Sequence, residues 1–210
     1  MYHKKLTSIV CVLIAVVLIS GCVSGDADKS NTTNTKAQAS KATTNDLTKA
    51  FANKSKAEVV DAINAAEQDL YGDKSNLEFD KDKAQNLVNT YNVFTNRFAD
   101  DPQSAGYLFK TAEVLRSLKK FNEAVSVYSK IVSDYPNFDK VPHSLFLKGF
   151  SHENDLKNLP QAKGSYEEFL QRFPQHELAD DVQFSLDNLG KSPEEIIQEF
   201  EKKRKENEGK

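Results

Sequence analysis

The stretch that decides the fold runs from Ser104 to Pro174 and reads SAGYLFKTAEVLRSLKKFNEAVSVYSKIVSDYPNFDKVPHSLFLKGFSHENDLKNLPQAKGSYEEFLQRFP. A set of small, aromatic and proline positions occurs in it twice, 38 residues apart. These positions are Ala124, Tyr128, Tyr135 and Pro136 in the earlier copy, and Ala162, Tyr166, Phe173 and Pro174 in the later one. A period of this length indicates a stack of helix pairs, because one pair cannot bury its apolar face alone.

Each copy also carries a large apolar residue four positions before a small one, in the first helix of the pair. These residues are Leu108 and Ala112 in the earlier copy, which we call copy two, and Leu145 and Gly149 in the later copy, which we call copy three. Small residues allow two helices to cross closely, and proline ends a helix because it lacks an N–H group. The small residues of the two helices lie 12 positions apart in copy two and 13 in copy three. We therefore expect one extra residue in the turn from Asp155 to Pro160.

An earlier copy is weaker, because Leu87 replaces the small residue of the second helix and Ala99 replaces the proline. Its matching positions are Leu87, Tyr91, Phe94 and Phe98, each 37 residues before Ala124, Tyr128, Ile131 and Tyr135. The pattern predicts helices at about 81–98, 102–118, 121–134, 139–155, 159–172 and 177–189, with another after the capping box Ser55–Glu58. Asp101 and Pro102 are expected to open the helix at 102–118.

A last helix is predicted after Ser192 and Pro193, in which Ile196, Ile197 and Phe200 would close the end of the stack. The polar residues 201–210 would form a solvated tail. The predicted fold class is all-α: a right-handed stack of antiparallel helix pairs, about three and a half repeats long, with a C-terminal capping helix.

The N-terminus has the pattern of a bacterial lipoprotein signal. Lys4 and Lys5 precede an apolar run over residues 9–19, which is too short to span a bilayer. Small residues then lead to Cys22, whose thiol would take up diacylglycerol. We predict a signal peptide at 1–21, a lipidated Cys22 with a flexible linker at 22–45, and a helical domain at 46–210. The chain would be held on a membrane by its acyl chains.

The composition offers no pattern for catalysis, metal binding or nucleic-acid binding. The histidines His3, His143, His152 and His176 lack the paired spacing of a zinc site or catalytic site, and Cys11 lies in the predicted signal peptide. Without the signal peptide the chain has 26 basic and 31 acidic residues, a net charge of −5, whereas nucleic-acid binding requires concentrated positive charge. We expect no enzyme activity, no cofactor, no metal and no small-molecule substrate.

Residues from about Lys81 to Leu189 resemble the tetratricopeptide proteins of the Gram-negative periplasm, whose repeats end in Tyr-Pro or Phe-Pro. The nearest families are the BamD-type lipoprotein of the outer-membrane β-barrel assembly machinery and the Tol-Pal-associated periplasmic protein. The run from Asn188 to Ile196 is similar to the ending of a Bacteroidetes tetratricopeptide lipoprotein group. The resemblance implies a tetratricopeptide stack that is attached to the outer membrane and faces the periplasm.

In that family the first helices line a concave groove, and the residue after the large apolar one faces inward. In this chain that residue is a phenylalanine in three successive repeats: Phe109, Phe146 and Phe184, which are 37 and 38 residues apart. The predicted groove contains Phe109, Glu113, Arg116, His143, Phe146, Phe150, Glu153 and Phe184. Aromatic residues surrounded by charges are typical of peptide-binding grooves. The alternative is that these phenylalanines only pack the stack.

The expected function is that of a lipid-anchored envelope adaptor that binds other envelope proteins or peptides, in outer-membrane protein assembly or envelope maintenance. The alternative is an accessory structural subunit of a fixed transport or secretion complex in the outer membrane.

Overall fold

The computed structural model describes residues 44–72 and 79–208, and within these two ranges all regular secondary structure is helical. The predicted signal peptide, Cys22 and the linker up to residue 43 lie outside the described residues. The helices are α1 (Thr44–Ala50), α2 (Lys56–Tyr71), α3 (Lys81–Arg97), α4 (Ser104–Ser117), α5 (Phe121–Asp134), α6 (Val141–Phe150, continued by a π-helical turn at Ser151–Asp155), α7 (Leu159–Arg172), α8 (Ala179–Asp187) and α9 (Pro193–Glu208).

The helices from α2 to α8 pack in chain order, each against the one before it and the one after it. The pairs α2–α3, α4–α5 and α6–α7 are three successive repeats, and α8 begins a fourth. Helix α1 packs against α3. The predicted all-α stack of helix pairs is therefore confirmed.

The positions that the repeat selects form the core. The small residues Ala112, Ala124 and Ala162 are completely buried, as are Tyr128 and Tyr166. Copy one is built in the same way, since Leu87 and Tyr91 are at most 1% exposed. A repeat that was weak in sequence therefore contributes to the core as fully as the other two.

The three second helices end at the same place in the repeat. Helices α3, α5 and α7 are followed by Phe98, Tyr135 and Phe173, whose φ angles are −127°, −128° and −132°. Proline follows the aromatic residue in two copies and Ala99 follows it in the third. Proline is therefore not required to end this helix. A further bond joins two of these ends, because the Tyr135 hydroxyl donates to the Ala99 carbonyl at 2.8 Å.

The extra residue of copy three lies inside a helix and not in the loop where the sequence placed it. The Leu156 N–H group donates to the Ser151 carbonyl at 2.9 Å, five residues back, which is the π-helical pattern. Lys119 and Lys157 end the two first helices with positive φ angles of 60° and 54°. These lysines are 38 residues apart, whereas Ala112 and Gly149 are 37 apart. The added residue is therefore absorbed between Gly149 and Lys157 by the π turn.

Several predicted helix ends differ from the structure by one or more residues, and α6 begins at Val141, two residues later than predicted. Helix α4 begins at Ser104, because the Asp101 carboxylate accepts a hydrogen bond from the Gln103 N–H group at 2.9 Å and holds a turn there. Helix α8 begins at Ala179, two residues later than predicted. Residues 201–208 are the last turns of α9 and are not an irregular tail, although their described side chains are exposed.

The capping box predicted at Ser55–Glu58 is found, and so is the predicted helix start at Ser192. The Ser55 hydroxyl accepts from the Glu58 N–H group at 3.2 Å, and the Glu58 carboxylate accepts from the Ser55 N–H group at 2.8 Å. Ser192 and Glu195 make the same pair of bonds at the start of α9. Among the helices described, none is both long and apolar enough to cross a membrane.

Candidate functional site: the first-helix face

The predicted groove corresponds to the surface formed by the first helices α2, α4, α6 and α8, which we call the first-helix face. Ion pairs connect neighbouring repeats along it. Lys110 of α4 contacts Glu67 of α2 at 2.8 Å, and Arg116 of α4 contacts Asp155 beyond α6 at 3.5 Å. The residues on this face therefore have charged neighbours from two repeats.

Each of the three periodic phenylalanines contacts an aromatic ring of the helix that follows its own. Phe109 lies 6.1 Å from Tyr128, Phe146 lies 6.3 Å from Tyr166, and Phe184 lies 6.2 Å from Phe200, measured between ring centroids. The first two of these contacts join the first and second helices of one pair, and the third joins α8 to α9. Packing within the helix pair is therefore sufficient to explain the spacings of 37 and 38 residues.

Phe109 does not have the partial exposure that a binding anchor needs. It is 5% exposed, because the Tyr128 ring covers one side and the Lys140 ammonium group lies 4.7 Å from the ring centroid. The burial of Phe109 therefore favours the alternative for this residue, in which the ring only packs the stack. Phe146 and Phe184 are both partly exposed.

Four predicted site residues come together in the middle of the first-helix face, and we call them the central cluster: Arg116, Phe146, Phe150 and Glu153. The rings of Phe146 and Phe150 lie 6.2 Å apart, and the Arg116 guanidinium lies 5.3 Å from the Phe150 centroid. The Glu153 carboxylate accepts a hydrogen bond from Tyr166 at 2.8 Å, and Tyr166 also contacts Phe146. All four side chains are partly exposed.

The remaining predicted site residues have other surroundings. Glu113 is exposed on α4, and its charge contributes to raising the pKa of Tyr71, after the larger effect of burial. The ring of His143 contacts that of His176 at 5.4 Å, a neighbour that the sequence analysis missed. The two histidines are 33 residues apart, close to one repeat, and this separation could have indicated that they lie side by side.

The second-helix tyrosines show how the middle repeat differs from the others. Tyr91 donates to the Glu67 carboxylate at 2.6 Å, and Tyr166 donates to Glu153 at 2.8 Å. In the middle repeat the position of these glutamates is occupied by Arg116, whose guanidinium group cannot accept a hydrogen bond from Tyr128. The hydroxyl of Tyr128 is buried and has no hydrogen-bond partner in the described part of the chain.

The pKa directions agree with this arrangement. Burial, followed by the bond to Glu67, raises the pKa of Tyr91. Burial also raises the pKa of Tyr128, and the nearby charge of Arg116 opposes this effect without cancelling it. Burial acts to raise the pKa of Glu67, but hydrogen bonds from Lys110 and Tyr91 outweigh it and lower that pKa below its usual value. Glu67 is therefore held as a carboxylate that accepts from Tyr91.

This difference predicts unequal effects of removing a tyrosine hydroxyl. Tyr166→Phe should lower the free energy of unfolding by about 1.5–3 kcal/mol, because it removes a hydrogen bond to a charged acceptor. Tyr128→Phe should be neutral or stabilising, because a buried hydroxyl without a partner disfavours folding. Denaturant unfolding of the two variants checks the prediction, and an equal loss in both would contradict it.

One aromatic residue of this face was not predicted. Tyr71, at the end of α2, is 56% exposed and lies beside the carboxylates of Glu67 and Glu113. Its place one helical turn after Glu67 could have assigned it to the first-helix face, since residues four apart share a face.

Comparison with known proteins supports the class. The sequence model of the tetratricopeptide repeat family matches residues 107–137 and 143–176, which are the pairs α4–α5 and α6–α7. No curated protein matches the chain in sequence. The chain therefore contains tetratricopeptide repeats within an all-α stack, a fold that is typical of non-enzymatic scaffolds for protein–protein interaction.

Proposed function

We propose that this protein is a lipid-anchored adaptor of the bacterial cell envelope, which binds a partner protein on its first-helix face. The observation that carries the proposal is the central cluster. It combines two partly exposed aromatic rings, Phe146 and Phe150, with the charges of Arg116 and Glu153. Aromatic and arginine side chains of this kind dominate the binding energy of protein interfaces.

The central cluster replaces Phe109 as the expected anchor. Phe109 has little area left to bury against a partner. The Phe150 ring contacts the Arg116 guanidinium group but is still partly exposed to solvent. Because the hydrophobic gain depends on area removed from water, Phe150 can contribute more to binding. An outer-membrane location on the periplasmic side follows from the predicted lipoprotein signal and belongs to the same proposal.

The membrane anchor is tested at Cys22. Cys22→Ala should leave an unprocessed chain, or one that is released from the membrane, because the thiol that carries the acyl chains is missing. Membrane fractionation and the apparent mass on a denaturing gel measure the two effects. Full recovery of the variant in the membrane fraction, at the mature size, would contradict the lipoprotein proposal.

The binding surface is tested by Phe150→Ala. We expect this change to weaken partner binding by about 2 kcal/mol or more, roughly 30-fold, the usual size of an aromatic hot spot. The measurement is recovery of co-purified proteins from detergent extracts, identified by mass spectrometry. Leu159→Ala is a matched control, because Leu159 is 39% exposed and begins the second helix α7.

Unchanged recovery with Phe150→Ala would contradict the proposed surface. The same extracts distinguish the adaptor from an accessory subunit of a fixed complex. An adaptor should elute mostly at the size of the single chain in its micelle, whereas a subunit should elute entirely with its complex.

A further inference from the structure

Helix α9 has an apolar face that the rest of the described chain leaves open. Ile197 is 57% exposed and Phe200 is 51% exposed, the largest values among the apolar side chains of this helix. Phe200 stacks one side of its ring on Phe184, and the Lys191–Glu199 ion pair at 2.8 Å also holds the first turns of α9 to the stack. The opposite side, centred on Ile197, faces solvent.

The repeat explains why this side is open. Phe184 and Phe200 form a ring contact between α8 and α9, but α9 does not pack along α8 in the way that α7 packs along α6. In the three helix pairs of the stack, the second helix is covered by the first helix that follows, as α4 covers α3, α6 covers α5 and α8 covers α7. Within residues 44–72 and 79–208 no helix covers α9 in this way.

The charges of α9 are separated along its length. The first half, residues 193–200, carries only acidic charges, at Glu194, Glu195 and Glu199. The second half, residues 201–208, carries Lys202, Lys203, Arg204 and Lys205 together with Glu201, Glu206 and Glu208, so the net charges of the two halves are −3 and +1. Two such helices side by side in parallel would place acid beside acid and base beside base. In an antiparallel pair each acidic half lies along the half of the other helix that has a net positive charge, which is the more favourable arrangement.

We propose that α9 is a self-association surface, on which the α9 helices of two copies pair antiparallel about a two-fold axis near Phe200. Such an interface is self-complementary, since each copy contributes the same apolar face and the same two charged halves. The exposed sides of Ile197 and Phe200 form its centre. A helix of 16 residues is about 24 Å long. One helix pair buries less than a standard interface, so we expect a weak dimer with a Kd in the range of about 1–100 μM.

One pair of charges identifies the orientation. Glu194 and Lys205 are eleven residues apart, about three helical turns, and therefore lie on one side of α9, beside the apolar face that Ile197 belongs to. In an antiparallel pair centred near Phe200, Glu194 of one copy lies close to Lys205 of the other. Both side chains are exposed.

The test is sedimentation equilibrium of the full chain in density-matched detergent at about 5–200 μM, a range around the expected Kd. The unmodified chain should show a concentration-dependent dimer. Ile197→Glu should raise the Kd at least tenfold, and the control Leu159→Glu, at an exposed apolar residue outside α9, should not. A chain that stays monomeric throughout, or a dimer that Ile197→Glu leaves unchanged, would overturn the proposal.

The orientation is tested by charge reversal. Glu194→Lys and Lys205→Glu should each weaken the dimer about three- to tenfold, and the chain with both changes should recover the original Kd at low salt. Recovery is specific to the antiparallel arrangement, because only there do the two positions meet. Failure of the double reversal to recover, with α9 still helical by circular dichroism, would overturn the antiparallel pairing.

Discussion

Phe109→Ala is expected to lower the free energy of unfolding by about 3–5 kcal/mol, the usual effect of removing a buried phenylalanine ring. The ring is 5% exposed and packs against Tyr128, which is itself completely buried, so the cavity cannot be filled by a side chain moving in from the surface. For a domain of this size each kcal/mol lowers the melting temperature by about 2–4 °C. We therefore expect the midpoint of thermal unfolding to fall by about 6–20 °C.

The control for this experiment is Leu159→Ala, since Leu159 is 39% exposed and begins the second helix α7. Its melting temperature should change by less than about 2 °C, as expected for a surface substitution. A Phe109→Ala variant that melts within about 2 °C of the unmodified chain would show that Phe109 is not part of the core. Phe109 would then again be a candidate anchor for a binding partner.

Gly149→Leu is expected to destabilise the protein by about 1–3 kcal/mol, because it overpacks a close crossing of α6 and α7. A Cβ atom at Gly149 would lie only 2.5 Å from Cε1 and 2.7 Å from Cδ1 of Tyr166. The Tyr166 ring cannot move away easily, since it is completely buried, its hydroxyl is bonded to Glu153 and its face contacts Phe146. Chemical denaturation with the unmodified chain as reference measures the loss.

Two other helical glycines are the matched controls. Gly106 in α4 and Gly164 in α7 have no atom within 4 Å of an added Cβ. Gly106→Ala and Gly164→Ala should each stabilise the protein by up to about 1 kcal/mol, through the higher helix propensity of alanine. A neutral effect of Gly149→Leu, together with these gains, would show that α6 and α7 do not approach closely at Gly149.

The sequence predicts the stack well because its signals are local and repeated. Small and aromatic residues recur at the same register, and α5 and α7 begin and end at the residues predicted. Even the number of residues between Gly149 and Ala162 revealed an insertion. Its position could not be predicted, because a π turn and a longer loop accommodate the same extra residue.

The candidate site was predicted less well, because exposure depends on neighbours from other helices. Phe109 and Phe146 occupy the same register, yet Phe109 is buried and Phe146 is partly exposed. Part of the difference is Lys140, which precedes α6 and lies over the Phe109 ring. The contact of His143 with His176 likewise follows from the packing of neighbouring repeats and not from spacing within one helix.

The role of Arg116 was also not evident from one repeat alone. Only the comparison of Tyr91, Tyr128 and Tyr166 shows that Arg116 stands where the other repeats provide a glutamate. Without that acceptor, Arg116 turns towards Asp155 and Phe150. The middle repeat thereby places a cation and an aromatic ring together on the first-helix face.

The central claim is that a partner binds to the first-helix face, and site-specific photo-crosslinking in living cells tests it most directly. A photoreactive phenylalanine analogue is placed at Phe150 in one strain, and at the exposed residue Ser126 of the second helix α5 in another. We predict a discrete crosslinked product of higher mass from Phe150 and none from Ser126. A product from Ser126 but not from Phe150 would contradict the claim.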